Sequence, residues 1–342
     1  MKFLIVRLSS LGDIIHSLPL VNQIKQFDPN AKIDWLVGKG GYELLSLIPE
    51  LDTVYPLSFN SLRLIQKQKY DYVIDVQGLF KSSLISKFCF GKKIAGFKQA
   101  REFAPIFYDI KVNGENLFNT TKHIVNLNLK LLSFLEKSSK SDENTPQIKF
   151  SIPKITNPDN ENLLKVNSPS IIIFPAARWE SKLWPLKHWY ELIKDLSSDF
   201  SLYVCASSSD VVYLQPLLND LIENNINFVN LVGKASFKDL IYLIQNTNLV
   251  IGLDSFGLHL ASAIKNDFGK PDVIGIYGPT SPIRNGPYNL TGECFYLSSL
   301  VCIACRKKKC PLKHHACMNN IYPEELKKAV FSKLKIQAKV GV

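Results

Sequence analysis

Three short polar stretches of this chain hold residue types that do chemistry together. The first, RLSSLGD at 7–13, clusters Ser9, Ser10 and Asp13 about Gly12, which permits a tight backbone. At a helix start such a carboxylate caps or charge-complements the helix, the reading that spacing alone favours, and it can also take a proton as a general base. The second, FPAARWESKLWP at 174–185, sets Arg178 and Lys182 four residues apart, able to meet one anionic group. The third, VIGLDSFGLH at 250–259, is an apolar run breaking into a small polar turn. Free backbone N–H groups and the helix dipole there suit a phosphate. His259 reads equally as a buried packing residue. A related strand-to-turn segment, IYGPTSP, follows at 276–282.

Each of these stretches needs a strand before it and a helix after it. Short apolar runs at 2–7, 33–37, 72–76 and 93–97 alternate with helix-length segments, as do those at 171–174, 202–205, 229–232, 249–253 and 273–277. This alternation predicts an α/β chain built on parallel sheets, with ligands outside the carboxyl ends of the strands. A helical pattern runs through Ile14, Leu18, Leu20, Val21 and Ile24. Polar stretches at 137–145 and 157–162 break the periodicity and place a boundary near 150–168, so the expected domains are 1–160 and 161–342. The second ends in a helix opened by Pro323, with Lys327, Lys328, Lys333 and Lys335 towards its carboxyl side.

With 342 residues, 46% of them hydrophobic and 21% charged, the chain is long enough for two cores and far from the composition of disorder. No apolar stretch approaches the roughly 18 to 20 residues that span a bilayer, and the amino terminus lacks the pattern of a secretory leader, so a cytoplasmic location is expected. The net charge is +11, and residues 61–101 hold nine basic residues against two acidic ones, which points to an anionic partner unless the run is a solvated face. Neither G-x-x-x-x-G-K-[ST], nor post-strand G-x-G-x-x-G, nor G-x-S-x-G occurs, so nucleotide hydrolysis, hydride transfer and serine-hydrolase chemistry lose their usual marks. There is no D-x-D to hold a divalent ion on a diphosphate, and Lys, Arg and helix dipoles would have to neutralise such a leaving group.

Six segments in order, RLSSLGDIIHSLP at 7–19, DVQGLFKS at 75–82, ARE at 100–102 with Phe107 and Tyr108, KLWPLKHW at 182–189, DSFGLH at 254–259 and YGPT at 277–280, resemble the lipopolysaccharide ADP-heptose heptosyltransferases of glycosyltransferase family 9. The amino-terminal half is more similar to heptosyltransferase I, the Cys-rich tail to heptosyltransferase II. The resemblance implies a GT-B fold, two Rossmann-like domains facing across a cleft, with acceptor on the amino-terminal domain and nucleotide sugar on the carboxyl-terminal one. It implies inverting, metal-independent transfer of heptose from ADP-heptose to the Kdo-lipid A or inner-core region, with no cofactor, no nucleic acid partner and peripheral contact with the cytoplasmic face of the inner membrane. Asp13 would then deprotonate the acceptor hydroxyl, with Ser9 and Ser10 beside it, and Lys182 would neutralise the diphosphate with Arg178 nearby. Asp254 would serve the donor sugar or its surroundings. The N–H groups of Ser255, Phe256, Gly257 and Leu258 would cradle phosphate beside His259. Lys81, Lys98 and Arg101 would meet acceptor phosphates or Kdo carboxylates.

The chain departs from that pattern at several places. Ala176 and Ala177 stand where heptosyltransferase I carries hydroxyl side chains, which keeps open a related glycosyltransferase with another nucleotide sugar and surface glycolipid. Phe256 replaces a small residue, and residues 264–272 form a longer connection than usual. Cys302, Cys305, Cys310 and Cys317, with His314 and His315 among them, have the ligand types of a zinc knuckle but irregular spacing, so bound metal, paired thiols and free thiols all remain open.

Overall fold

The computed structural model describes residues 1–114, 121–135, 148–161, 166, 169–288 and 294–334. The chain divides into two compact units, Met1–Pro153 and Lys154–Val342. In the first, β1 (Lys2–Val6), β2 (Lys32–Val37), β3 (Thr53–Pro56), β4 (Tyr72–Asp75), β5 (Lys93–Phe97) and β6 (Ile110–Val112) form one sheet in the order β3-β2-β1-β4-β5-β6. Neighbouring strands are all parallel, and Ile5 lies between Trp35 of β2 and Ile74 of β4. Helices on the faces of a parallel sheet leave its central strands no contact with water. That is why Phe3, Leu4, Ile5 and Val6 are an unbroken apolar run and fully buried.

The second unit repeats the plan with β7 (Ser170–Phe174), β8 (Ser201–Val204), β9 (Val229–Asn230), β10 (Leu249–Leu253), β11 (Asp272–Tyr277) and β12 (Cys294–Tyr296), ordered β12-β11-β10-β7-β8-β9. Numbered from its own first strand, each sheet reads 3-2-1-4-5-6, the doubly wound arrangement of dinucleotide-binding folds. The order reverses between β1 and β4 in one unit and between β7 and β10 in the other. In sheets of this order ligands bind outside the carboxyl ends of the strands at that point.

Local departures from expectation have local causes. The single helical pattern after β1 is two helices, Leu11–Ile15 and Pro19–Phe27, because Pro19 has no N–H to continue the first and fits the opening turn of the second. The long connection at 264–272 continues the helix Phe256–Phe268 until Gly269, at φ +77°, ends it, and Lys265 Nζ then bonds Asp272 at 2.9 Å. Residues 154–160 fasten to the second unit: Ile155 N–H donates to Gln245, and the N–H groups of Asp159 and Asn160 donate to Asp239 Oδ1 at 2.7 and 3.0 Å. The polar stretch 137–145, Asn162 and Lys335 lie outside the described residues.

In the second core, Trp184 and Trp189 meet edge to face at 4.8 Å, and the Trp184 indole N–H donates to the Ile321 carbonyl. The terminal helix Pro323–Leu334 buries Leu326, Val330 and Phe331 on this same core, Phe331 packing edge to face on Phe200. No described helix is long and apolar enough to cross a membrane.

Candidate active site

At the first switch point, Asp13 occupies the opening turn of Leu11–Ile15 directly after β1. Its Oδ2 accepts the Ser10 N–H at 3.1 Å and the Ser10 hydroxyl at 2.8 Å, and pairs with the Arg7 guanidinium at 2.9 Å. The helix-closing role is therefore real. All three contacts fall on Oδ2, however, and the side chain is 43% exposed, which leaves Oδ1 to receive a proton. Desolvation works to raise the Asp13 carboxyl, but Arg7 and the two Ser10 donors outweigh it and hold the group below the usual carboxylate range. Asp13 is thus ionised at neutral pH. Ser9 and Ser10 are exposed beside it.

The loop after β4 locks this arrangement. Gln77 Oε1 accepts the N–H groups of Leu8 (2.8 Å) and Ser9 (3.3 Å), while Arg7 donates to the Val76 carbonyl at 2.8 Å. Asp75 is fully buried and shapes its own loop, accepting from Gln77 N–H, Gly78 N–H, the Ser82 hydroxyl and the Tyr108 hydroxyl. Burial pushes its carboxyl up, and these neutral donors do not fully reverse that. Gly78, at φ +65°, turns its carbonyl to the Arg101 N–H, joining the loop after β5 to the same edge. Lys81, Lys98 and Arg101 are exposed along it.

At the second switch point, the loop after β7 carries exposed Arg178 and a 3-10 turn, Glu180–Lys182, that sends Lys182 inward. Lys182 Nζ lies 2.7 Å from Asp254 Oδ2, 3.0 Å from the Asp254 carbonyl and 4.8 Å from the centre of the Trp179 ring. Asp254 is buried; besides Lys182, its carboxylate meets His259 Nε2 at 3.0 Å and the Thr280 hydroxyl at 2.6 Å. Burial alone would raise this carboxyl, but Lys182 and His259 pull it far below the usual range. The spacing that suggested Arg178 and Lys182 for one anion thus leaves Arg178 outside and turns Lys182 to Asp254. An ammonium has three N–H groups, and Asp254 occupies two, so the third is left for a ligand.

The helix Phe256–Phe268 begins here with its first N–H groups lacking helical acceptors. Ser255 is its N-cap, Phe256 is half-buried with its ring edge-on to Phe237 at 5.5 Å, and Gly257, Leu258 and His259 are buried. A Cβ on Gly257 would run into the Phe174 ring, so glycine lets the helix start press onto the end of β7. Arg7, Gln77, Trp179 and Thr280 were not singled out by sequence reasoning. Their signal was one of place: Arg7, Gln77 and Thr280 stand in the segments at 7–19, 75–82 and 277–280 that carry the family resemblance, and Trp179 in the polar stretch at 174–185.

Cys302, Cys305, Cys310, His314, His315 and Cys317 line one small cavity of about 20 Å³ together with Ser181 and Pro279. All seven cysteines of the chain are free thiols; burial and the neighbouring thiols push Cys317 up to about 11. Among the described residues, no group of three or more His, Cys, Asp or Glu side chains is placed to hold a metal ion. The Cys-rich loop braces the loops after β7 and β11 instead. Ser181 N–H donates to the Lys308 carbonyl, the Ser181 carbonyl meets His315 Nε2 at 2.7 Å, and Arg306 N–H donates to the Pro279 carbonyl.

Comparison with known proteins agrees with this architecture. Lipopolysaccharide heptosyltransferase 1 of Campylobacter coli is 29% identical over 317 residues, covering 83% of this chain and 86% of that protein. Two solved structures share the fold. Heptosyltransferase WaaC of E. coli with ADP-2-deoxy-2-fluoro heptose has a TM-score of 0.70 at 21% identity, covering 97% of this chain and 99% of that one. ADP-heptose lps heptosyltransferase II of E. coli has a TM-score of 0.77 at 22% identity, covering 98% and 99%. The two units are therefore the Rossmann-like halves of a GT-B glycosyltransferase. The model of glycosyltransferase family 9 (heptosyltransferase) matches residues 60–316, three quarters of the sequence with Lys182 and the helix Phe256–Phe268 inside it, and the chain belongs to that family.

Proposed function

We propose that this enzyme transfers heptose from ADP-heptose to the Kdo-lipid A or inner-core region of lipopolysaccharide, with inversion at the anomeric carbon and without a metal ion. The observation that carries the reading is the Lys182 ammonium held at the opening of the helix Phe256–Phe268, a cation beside free N–H donors where a diphosphate can rest. The likeness to heptosyltransferase WaaC of E. coli with ADP-2-deoxy-2-fluoro heptose supports the sugar and the nucleotide.

In this reading the acceptor hydroxyl oxygen bonds to the anomeric carbon as the bond to the diphosphate oxygen breaks on the opposite face. Asp13 Oδ1 takes the hydroxyl proton, and ADP leaves with the bonding pair. Single in-line displacement gives the inversion. Arg7 keeps Asp13 ionised, which secures the correct protonation state while lowering basicity. On the donor side, the third N–H of Lys182 and the N–H groups of Ser255 to Leu258 meet the diphosphate, with exposed Arg178 adding charge. Asp254 and His259 are positioning residues: buried, they aim Lys182 rather than touch the sugar. Lys81, Lys98 and Arg101 meet the anionic groups of the acceptor, the first unit being the acceptor side and the second the donor side.

A second reading, the same mechanism with a different nucleotide sugar, is favoured by the methyl side chains of Ala176 and Ala177 on the donor-side loop. One experiment tests both: transfer from a panel of nucleotide sugars, ADP-heptose included, to Kdo-lipid A in EDTA, comparing wild type with Asp13→Ala. Transfer from ADP-heptose that survives EDTA and collapses in the variant is expected. Activity only with another donor overturns the heptose assignment, loss in EDTA overturns metal independence, and a fully active variant removes Asp13 from the chemistry.

A further inference from the structure

Unit 1 carries an apolar projection on the same edge as Asp13. Phe103 is 78% exposed, Ile106 72% and Phe80 45%. Single exposed hydrophobic residues need no explanation, but three on one short stretch of surface do. They are held together: the Phe80 N–H donates to Glu102 Oε2 at 3.3 Å, and the Phe80 ring packs edge to face on Phe107, whose 3-10 turn Ala104–Phe107 carries Ile106. Glu102 and Phe103 take consecutive positive φ values, +54° and +60°, a conformation that non-glycine residues avoid. The backbone thus holds Phe103 outward where an ordinary turn would let it fold back. Lys81, Lys98 and Arg101 are exposed around this projection.

From these residues we infer that the edge formed by Phe80, Phe103 and Ile106 is where the enzyme docks on an anionic lipid bilayer, inserting its apolar side chains between headgroups while Lys81, Lys98 and Arg101 lie in the headgroup layer. Apolar side chains ringed by cations are what an anionic membrane surface recognises, since acyl boundary and headgroup charge are met at successive depths. The position of the edge gives it purpose. Through Arg101 N–H to Gly78 carbonyl, and through Gln77 to Leu8 and Ser9, it is continuous with the loop that holds Asp13. A lipid-anchored acceptor keeps its acyl chains in the bilayer, so its sugar reaches Asp13 most directly if the bilayer touches this edge. A second exposed apolar pair, Phe88 and Phe90, lies at the far end of the helix Phe80–Phe88, about 12 Å away at 1.5 Å per residue, where docking would carry the acceptor away from Asp13.

The inference rests on the proposed lipid-linked acceptor, and the test separates the two. Full-length wild type, Phe103→Ser/Ile106→Ser and the control Phe88→Ser/Phe90→Ser are sedimented with phosphatidylglycerol/phosphatidylethanolamine vesicles and with phosphatidylcholine vesicles, after matching melting curves establish that all three fold. Wild type and control should bind the anionic vesicles, with the Phe103/Ile106 variant at least tenfold weaker. That variant should lose transfer to Kdo-lipid A embedded in vesicles yet keep wild-type transfer to the deacylated, water-soluble acceptor sugar. Vesicle binding unchanged in the variant, or lost equally in the control, overturns the docking edge. So does a wild-type dimer that the same two substitutions dissolve with no change on vesicles, which would assign the edge to self-association. If wild type transfers to neither acceptor, the proposed reaction fails while the vesicle result still judges the edge.

Discussion

Lys182 places its ammonium 2.7 Å from Asp254 Oδ2, joining the loop after β7 to the first residue after β10. One ion pair thereby spans the point where the second sheet reverses its order. Asp75 holds a similar place at the end of β4, equally buried, yet its carboxyl is pushed up where that of Asp254 is pulled down. Burial is common to both. The charge of the neighbours decides the direction, since Asp75 has hydroxyl and amide donors and Asp254 has Lys182 and His259.

Breaking a buried pair from one side strands the other charge, so Asp254→Asn should destabilise the second unit by about 3 kcal/mol in urea at neutral pH. Adding Lys182→Met should recover part of that loss, making the double variant more stable than the sum of the singles. Because the folded carboxyl lies below its unfolded value, the pair's contribution is complete above the unfolded carboxylate pKa and is lost as pH falls through it towards the lower folded one. The gap between wild type and Asp254→Asn should therefore narrow below about pH 4. A gap that stays constant down to acid unfolding would remove the pair as its cause.

Asp13→Asn should lower kcat by about 10² to 10⁴ while leaving calorimetric binding of the nucleotide sugar intact, the loss typical of a missing general base. The acid limb of kcat/KM reports an ionised carboxylate that must not be protonated. With Asp13 held low by Arg7, that limb should fall below the ordinary carboxylate range, and Arg7→Met should move it upward. A limb that does not respond to Arg7 belongs to another group.

Gln77→Ala removes the acceptor for the Leu8 and Ser9 N–H groups and so loosens the backbone that aims Asp13. Misplacement of a catalytic group is costly, and a decrease in kcat of about tenfold is expected, with ADP affinity unchanged. An equal loss of ADP binding would instead mark a general unfolding of the chain.

His315→Ala deletes the contact with the Ser181 carbonyl, one residue before Lys182. A hydrogen bond worth about 1 kcal/mol corresponds to roughly a fivefold rise in donor KM, with kcat at saturating donor retained. Kinetics at fixed acceptor check this, and a change in acceptor KM alone would argue that the Cys-rich loop does not brace Lys182.

Edge and centre of each sheet were not equally legible. The central strands at 3–6, 171–174 and 249–253 announced themselves because burial on both faces demands continuous apolar residues. Three edge strands, β3, β6 and β12, left no comparable mark, being three or four residues long and largely half-buried or exposed. The helix break at Pro19 was written in a single residue type but hidden under a periodicity that continues across it.

By itself the sequence determined the repeated β-α plan, the polar loops after the strands and the family, since apolar periodicity and motif order are local properties of a chain. Only the tertiary structure decided that Lys182 turns from Arg178 to Asp254, that Gln77 joins Arg7 and Ser10 in holding the loop of Asp13, and that Phe103 points out. The first two depend on partners far away along the chain, brought together by strand order, and on the charge and depth of the place where they meet; the third depends on a turn whose Glu102 carboxylate accepts the Phe80 N–H.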